Sequence, residues 1–398
     1  MPGLQRNLQS LAVRSEASAR PSRSSIYPVM KESGNVLYRR SPHLVMYWQG
    51  SQLIFENYAD GTRISAAPIT FEILRFFDRW RPCESLFRRV EEYSQSSVRK
   101  AISALVHHSL LQRSGRARRG IHDPMETWEH WNPSAGFFHF STKDVPYTHD
   151  VQATGRWLRR RAQRYPIPPP VKRYPQARQF ELPAPTIESE FPRILLARRT
   201  WRNFSRRPIS LWQLATLLGL TWGVQRWIEL PGLGSVALKS SPSGGALHPI
   251  EAYVFAMRVA ELPRGLYHYS PDKHRLELLR RGATSRQLVA HLAGQWWFRS
   301  AGAVIFMTAV FPRTQWKYQS PRAYRVVLTE AGHLCQTFCL VATWLGLAPF
   351  CTMALADSQV ERDLGIDGVS ESVLYAAGAG MRPQGVDWTP WPKSTSKR

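Results

Sequence analysis

Cysteine is scarce: four residues in 398, of which only Cys335 and Cys339 stand close together. That argues against a disulfide framework and makes a reducing cytoplasm the simplest setting. Acidic residues are also few, 29 against 53 Lys and Arg, leaving a net charge of +24. Such an excess draws nucleic acid, anionic lipid or an acidic peptide, or it is arginine-biased composition spread over the surface. No apolar run reaches the ~20 residues that span a bilayer, so no membrane partner is expected. The first residues lack the apolar core of a secretory signal. What is present is 43% apolar and 12% aromatic content, enough for two folded domains, one of them large.

In chain order, residues 1–35 are Ser- and Arg-rich without periodicity and read as a disordered basic arm, with Met30 as an alternative start. Residues 36–115 read as a small winged-helix-like module. A hairpin at 43–58 turns at Gly50-Ser51, and Pro68 opens a helix carrying Ile69, Ile73, Phe76, Phe77 and Trp80. A second helix bears Val98, Ala101, Ile102, Leu105 and Val106, with Ser94 or Ser96 as cap. Arg99, Lys100, Ser103 and His107 on its polar face suit phosphate contacts, but a solvated face is the preferred reading, and nucleic acid is not the expected partner. The hairpin edge instead suits a peptide added as an extra strand.

Residues 116–185 read as an irregular connector whose aromatics, Trp128, Trp131, Phe137, Phe138 and Phe140, pack onto a neighbouring domain. A catalytic domain follows over 186–390. Ile187, Phe191, Ile194 and Leu195 mark a helix face leading into Arg198-Arg199-Thr200-Trp201-Arg202-Asn203-Phe204. Three arginines and a threonine in five residues can grip a phosphate and leave a guanidinium for another anionic edge. Ser241-Pro242-Ser243-Gly244-Gly245 forms a turn at a strand entrance: proline restricts it, two glycines admit positive φ and close approach to a flat ligand, and two hydroxyls donate and accept. Trp316-Lys317-Tyr318 precedes a long apolar helix reaching Gly346, expected at the centre of the domain. Cys335 and Cys339 lie at i, i+4 on it with His333 near; no third or fourth ligand is evident, so they read as buried thiols and no metal is expected.

The arginine motif, the Ser-Pro-Ser-Gly-Gly turn, Lys317-Tyr318 and Glu330-Ala331-Gly332-His333 together resemble the SagB/ThcOx-type dehydrogenases of the flavin-dependent nitroreductase superfamily, which include thiazoline/oxazoline oxidases of ribosomal peptide synthesis. The resemblance runs over residues 36–382. It implies an α+β nitroreductase-like flavoprotein fold and a homodimer with FMN at the subunit interface. By matched position, Arg198 and Thr200 would hold the FMN phosphate and ribityl end, and Arg202 the pyrimidine edge. Ser241, Pro242, Ser243, Gly244 and Gly245 would run along the isoalloxazine. The backbone at Met353 and Ala354 would meet N5, and Arg382 would add a phosphate contact. Lys317 beside Tyr318 would be the catalytic base pair. Ala246 stands where nitroreductases often carry a flavin-bonding asparagine.

The resemblance thus implies oxidation of azoline rings to azoles, with the N-terminal module binding a peptide substrate or a cyclodehydratase partner and dioxygen reoxidising the flavin. Two alternatives stay open: a general NAD(P)H-dependent nitro- or quinone reductase, and a non-enzymatic binder of nucleic acid or protein.

Overall fold

The computed structural model describes residues 36–66, 69–114, 124–172, 176, 178, 180–231 and 234–385. The basic arm, Pro68 and the end of the segment expected as a catalytic domain, beyond 385, lie outside the described residues. The chain divides into two compact units, Met1–Thr142 with Ser320–Arg322, and Lys143–Gln319 with Ala323–Arg398.

In the first unit β1 (Leu37–Arg40) is followed by the hairpin read around Gly50, now β2 (Leu44–Gln49) and β3 (Gln52–Asn57). Their register runs from Leu44–Asn57 to Gln49–Gln52, and Gly50 makes the turn at φ +61°. A third strand, β4 (Thr62–Ser65), extends the hairpin. Next come α1 (Ile69–Phe76), β5 (Arg81–Pro82), α2 (Glu84–Phe87), α3 (Gln95–His107) and β6 (Leu111–Arg113), with β5 and β6 flanking β1. Ser94 caps α3, its Oγ accepting the Ser97 N–H at 3.2 Å. The apolar stripe of α3 packs with Phe55, Ile73, Leu74 and Phe77 into one core.

The segment read as an irregular connector is in good part helical. A 3₁₀ stretch, Pro124–Trp131, and α4 (Ser134–Ser141) belong to the first unit, where Trp128, Trp131 and Phe140 are buried and Phe140 lies 6.4 Å from the Tyr58 ring. In the second unit, α5 (Val151–Arg164) is capped by Asp150, whose Oδ1 accepts the Ala153 N–H at 2.8 Å. No residue of α5 is buried, so no apolar stripe announces it in the sequence.

The second unit continues with α6 (Glu190–Ala197), α7 (Leu211–Trp222), β7 (Val224–Leu230), β8 (Gly234–Lys239), β9 (Ile250–Ala256), β10 (Gly265–Ser270) and β11 (Arg275–Arg281). Then come α8 (Ser285–His291), β12 (Ala303–Val310), α9 (Phe311–Lys317), α10 (Ala323–Trp344), β13 (Leu347–Thr352), α11 (Asp357–Leu364) and β14 (Glu371–Met381). Six strands form one antiparallel sheet in the order β11-β10-β9-β12-β14-β13, while β7 and β8 pair as a separate hairpin. The central strand β12 is buried along nearly its whole length because helices cover both faces of the sheet. Phe255 and Phe306 meet Leu288 of α8, Leu292 just after it, and Val360 and Leu364 of α11 on one face. On the other lie α10 and α7. Burying each such side chain contributes roughly 1.5–3 kcal/mol.

By length and composition α10 could cross a membrane, but half of its apolar window is buried inside the fold, as in a core helix. By contrast, α6 buries none of its residues within one chain, although Phe191 and Leu195 were the face expected to pack.

Candidate active site

The residues singled out in the sequence assemble into two groups. The first gathers at β13, an edge of the main sheet. The stretch after α6 runs alongside it: the Trp201 N–H donates to Pro349 O at 2.8 Å, and the Ser205 N–H to Met381 O at 2.9 Å. This backbone pairing carries Arg198 and Arg202 to Cys351, with which both interact electrostatically. Arg198, Thr200 and Arg202 are half-buried, and burial holds Arg202 below its ordinary range while the Cys351 charge pulls it back. Arg199 is exposed and donates to the carbonyls of Leu196 and Arg198 at 2.6 and 2.8 Å, finishing α6. Arg382 reaches the same edge: Nε donates to Leu347 O at 2.9 Å, Nη2 to Thr343 O at 3.1 Å, and the guanidinium lies 5.7 Å over the Trp201 ring. A cation on the last carbonyls of α10 is also favoured by the helix dipole. Just past β13, Met353 is exposed, and Ala354 accepts from Gln295 Nε2 at 2.9 Å while its N–H donates to Thr352 Oγ1 at 3.1 Å.

The second group forms where the serine–glycine turn enters β9. Ser241 is buried, its Oγ 2.8 Å from Thr337 Oγ1 on α10. Pro242 is exposed. Ser243 Oγ accepts the His248 N–H at 2.9 Å, and the Gly244 N–H donates to Glu330 Oε1 at 2.7 Å. Gly244 has no positive φ; it is needed for space, since a methyl group there would lie 2.9 Å from Val326 Cγ1. Gly245 does sit at φ +67°, followed by Ala246 at +56° and His248 at +43°. Two non-glycine residues in that region cost about 1–3 kcal/mol each, and such strain persists where surroundings over-determine it.

Lys317 and Tyr318 close over this turn. A methyl group added to Gly245 would meet Lys317 Nζ at 2.9 Å and Tyr318 Oη at 3.0 Å. Lys317 Nζ also lies 5.6 Å from the Tyr318 ring centroid. The two residues, adjacent in sequence, therefore point the same way, because Lys317 ends α9 and Tyr318 caps it. Arg313, one turn earlier on α9, donates to His248 O at 2.9 Å and pairs with Glu251 of β9. That contact moors the helix to the exit of the turn. Arg313, Glu251, Glu330 and Thr337 are positioning residues that the sequence reading did not assign. Pro312 at the start of α9 was a readable helix signal, and it would have put Arg313 and Lys317 on one face at i, i+4.

Two further shifts bear on the turn. Burial raises the Glu330 carboxyl above its ordinary range, against the lowering pull of the Gly244 and Ser243 donors. Burial likewise pushes His248 down to about 4, so it is neutral at pH 7 and its Nε2 lies 2.9 Å from Ala237 O.

The two groups contact different sides of α10. At 3.6 residues per turn, Val326, Glu330 and Thr337 share the face under the turn, while Cys335 and Cys339 lie on the face toward Cys351 and the arginine edge.

Residues 195–381 match the nitroreductase family and form a nitroreductase-family domain. That family is one of oxidoreductases. The chain is 29% identical over 188 residues to a protein of Methanocaldococcus jannaschii named as a nitroreductase, covering 47% of this chain and 90% of the relative. It is 31% identical over 172 residues to the trifolitoxin-processing protein TfxB of Rhizobium leguminosarum bv. trifolii, covering 42% of this chain and 46% of that one. It is 33% identical over 150 residues to the microcin B17-processing protein McbC of Escherichia coli, covering 34% and 52%. The chain thus spans about half the length of the two processing proteins.

Proposed function

We propose that the protein is an FMN-dependent, SagB-type dehydrogenase that oxidises azoline rings to azoles in a ribosomal peptide pathway. The observation that carries this is the convergence of Lys317 Nζ and Tyr318 Oη on the Cβ-less face of Gly245. A flavin mononucleotide suits the residues present. Arg198 and Arg202 offer half-buried cations for a phosphate and an anionic ring edge, and the missing Cβ at Gly245 lets Lys317 Nζ and Tyr318 Oη come close to the backbone of the turn. FMN, when bound, supplies the hydride acceptor for the carbon–hydrogen bond that is broken.

The residues of the chain then supply the rest. Lys317 Nζ accepts the proton leaving the ring carbon, and the Tyr318 hydroxyl steadies it. Arg202 places positive charge where negative charge develops. Glu330 and Arg313 keep turn and lysine in register. Because α10 separates the arginine group from the turn group, one copy holds the two halves apart. A homodimer in which each copy lends its turn to the other's arginines completes two sites. The exposed Phe191, Leu195 and Leu196 of α6 support a second copy covering that face. In the first unit, β2 is an edge strand with Trp48 exposed, which suits a peptide or a cyclodehydratase partner added alongside.

The test is Lys317→Ala. FMN content should hold, and the loss of two hydrogens from an azoline peptide, read by mass spectrometry, should fall by about 10²–10⁴-fold. Unchanged turnover with flavin bound would remove Lys317 from the mechanism. A second reading, an NAD(P)H-dependent nitro- or quinone reductase, is favoured by the Methanocaldococcus relative; rapid bleaching of the flavin by NAD(P)H, with no azoline oxidation, would select it.

A further inference from the structure

On the face of α10 turned away from the serine–glycine turn, Cys335 and Cys339 are both buried, and Cys351 of β13 comes up against them. The three Sγ atoms all lie within 4.8 Å of one another. We propose that Cys335, Cys339 and Cys351 form a binding site for a thiophilic d¹⁰ metal ion, Zn²⁺ or Cu⁺, held by three sulfurs.

The dimensions suit it. With metal–sulfur bonds of about 2.3 Å, three thiolates around one ion stand about 3.8–4.0 Å apart, so the trio need close by no more than about 1 Å. Two ligands at i and i+4 share one helix face, which is the spacing a rigid helix needs to offer two donors to one ion. The third comes from an edge strand and is partly exposed, which gives an ion a way in. The donor set is all sulfur, which selects soft ions over Mg²⁺, Ca²⁺ or Mn²⁺. The Tyr375 side chain interacts with Cys335 and Cys351, a neighbour that can orient the ligands.

Charge also balances. In the bound state all three sulfurs are thiolates, and the three metal–sulfur bonds form with no change of oxidation state, leaving the centre at −1 with Zn²⁺ or −2 with Cu⁺. Arg198 and Arg202, both acting on Cys351, lie where they offset that negative charge. The site lies on the other side of α10 from Lys317 and the turn, and it shares the Arg198 and Arg202 edge with the proposed flavin contacts.

The full-length protein, reduced with a phosphine and stripped with a chelator under argon, is titrated with Zn²⁺ against a chromophoric competitor and, separately, with Cu⁺ against bathocuproine disulfonate. One equivalent per chain should be retained in at least one arm, and the arm with the tighter competition identifies the ion. X-ray absorption of the loaded protein should show three sulfur neighbours at about 2.3 Å. Cys335→Ser, Cys339→Ser and Cys351→Ser should each weaken binding by about 100-fold or more, while Cys83→Ser, in the other unit, should leave it unchanged. Metal retention lost in Cys83→Ser, undiminished in Cys351→Ser, or absent from the wild-type protein in both arms overturns the proposal. So does a first shell of nitrogen and oxygen. The wild-type titration and spectrum decide the matter even if a serine variant does not fold.

Discussion

Gly245→Ala tests the geometry on which the proposed chemistry rests. An L-residue at φ +67° costs about 1–2 kcal/mol whatever surrounds it. The new methyl would also lie 2.9 Å from Lys317 Nζ, 3.1 Å from Lys317 Cδ and 3.0 Å from Tyr318 Oη. The lysine end is flexible and swings away cheaply, so the clash adds little to the stability loss. In a unit of this size the melting temperature should drop by roughly 2–8 °C, mostly from the backbone term. Function should suffer far more. A base displaced by even 1 Å loses about 10²-fold in rate, and azoline oxidation should fall by that order with flavin still bound. The control is the cycle with Lys317→Ala: once the lysine is gone, adding the Gly245 methyl should cost nothing further in turnover and only the backbone term in stability. Two results would refute the reasoning: full activity in Gly245→Ala, or the same fractional loss of turnover with and without the lysine.

Other changes probe the frame around the site. Arg382→Gln removes two charge-assisted hydrogen bonds to Thr343 O and Leu347 O and should cost about 2 kcal/mol in a urea titration of flavin-free protein; if stability holds and only flavin retention drops, Arg382 serves the ligand rather than the helix end. Lys143→Met strands Glu361, whose carboxylate takes Lys143 Nζ at 2.6 and 2.8 Å in a nearly sealed pocket, and should destabilise by about 3–5 kcal/mol; Lys143→Met with Glu361→Leu should recover most of it, and equal losses in the two would sink this account. Burial pushes Asp357 from 3.8 up to about 6, so between those values the native state keeps a proton that the unfolded chain has released, and stability should fall as pH rises from 4 to 6, by at most about 3 kcal/mol. Asp357→Asn should flatten that slope in denaturant midpoints taken at pH 4, 5, 6 and 7; an unchanged slope would clear Asp357 of it.

How much of this was legible depended on whether the signal was local. The hairpin β2–β3 could be read directly because two short β-prone runs flank Gly50-Ser51. Ser94 was readable as a cap, and it accepts the expected backbone N–H. Helix α5 was not, because a helix that buries nothing leaves no stripe. The pair β7 and β8 was missed for a similar reason: its exposed positions include Trp227 and Leu230, so polar and apolar residues do not sort by face. Gly245 was expected to need positive φ and does, whereas Gly244 proved necessary only for the space Val326 occupies, a fact set 82 residues away along the chain.

The same limit explains the cysteines and the two halves of the proposed site. A heptad-like reading of α10 finds one apolar stripe and assigns it to the core, but the helix is buried on more than one side, so its residues divide among different neighbours. Glu330 and Thr337 belong to the turn; Cys335 and Cys339, interleaved with them in sequence, belong to β13. The 3.6-residue period puts the two sets on opposite faces, but the sequence does not say which neighbour each face meets. Cys351 looked isolated because it lies on a strand beyond the helix end, and the arginines and the turn were joined into one site only through the family resemblance. Once α10 stands between them, a motif list that reads as a single site becomes two half-sites. The proposed homodimer therefore follows from the direction of a helix face, and a monomer that remained fully active at high dilution would contradict it.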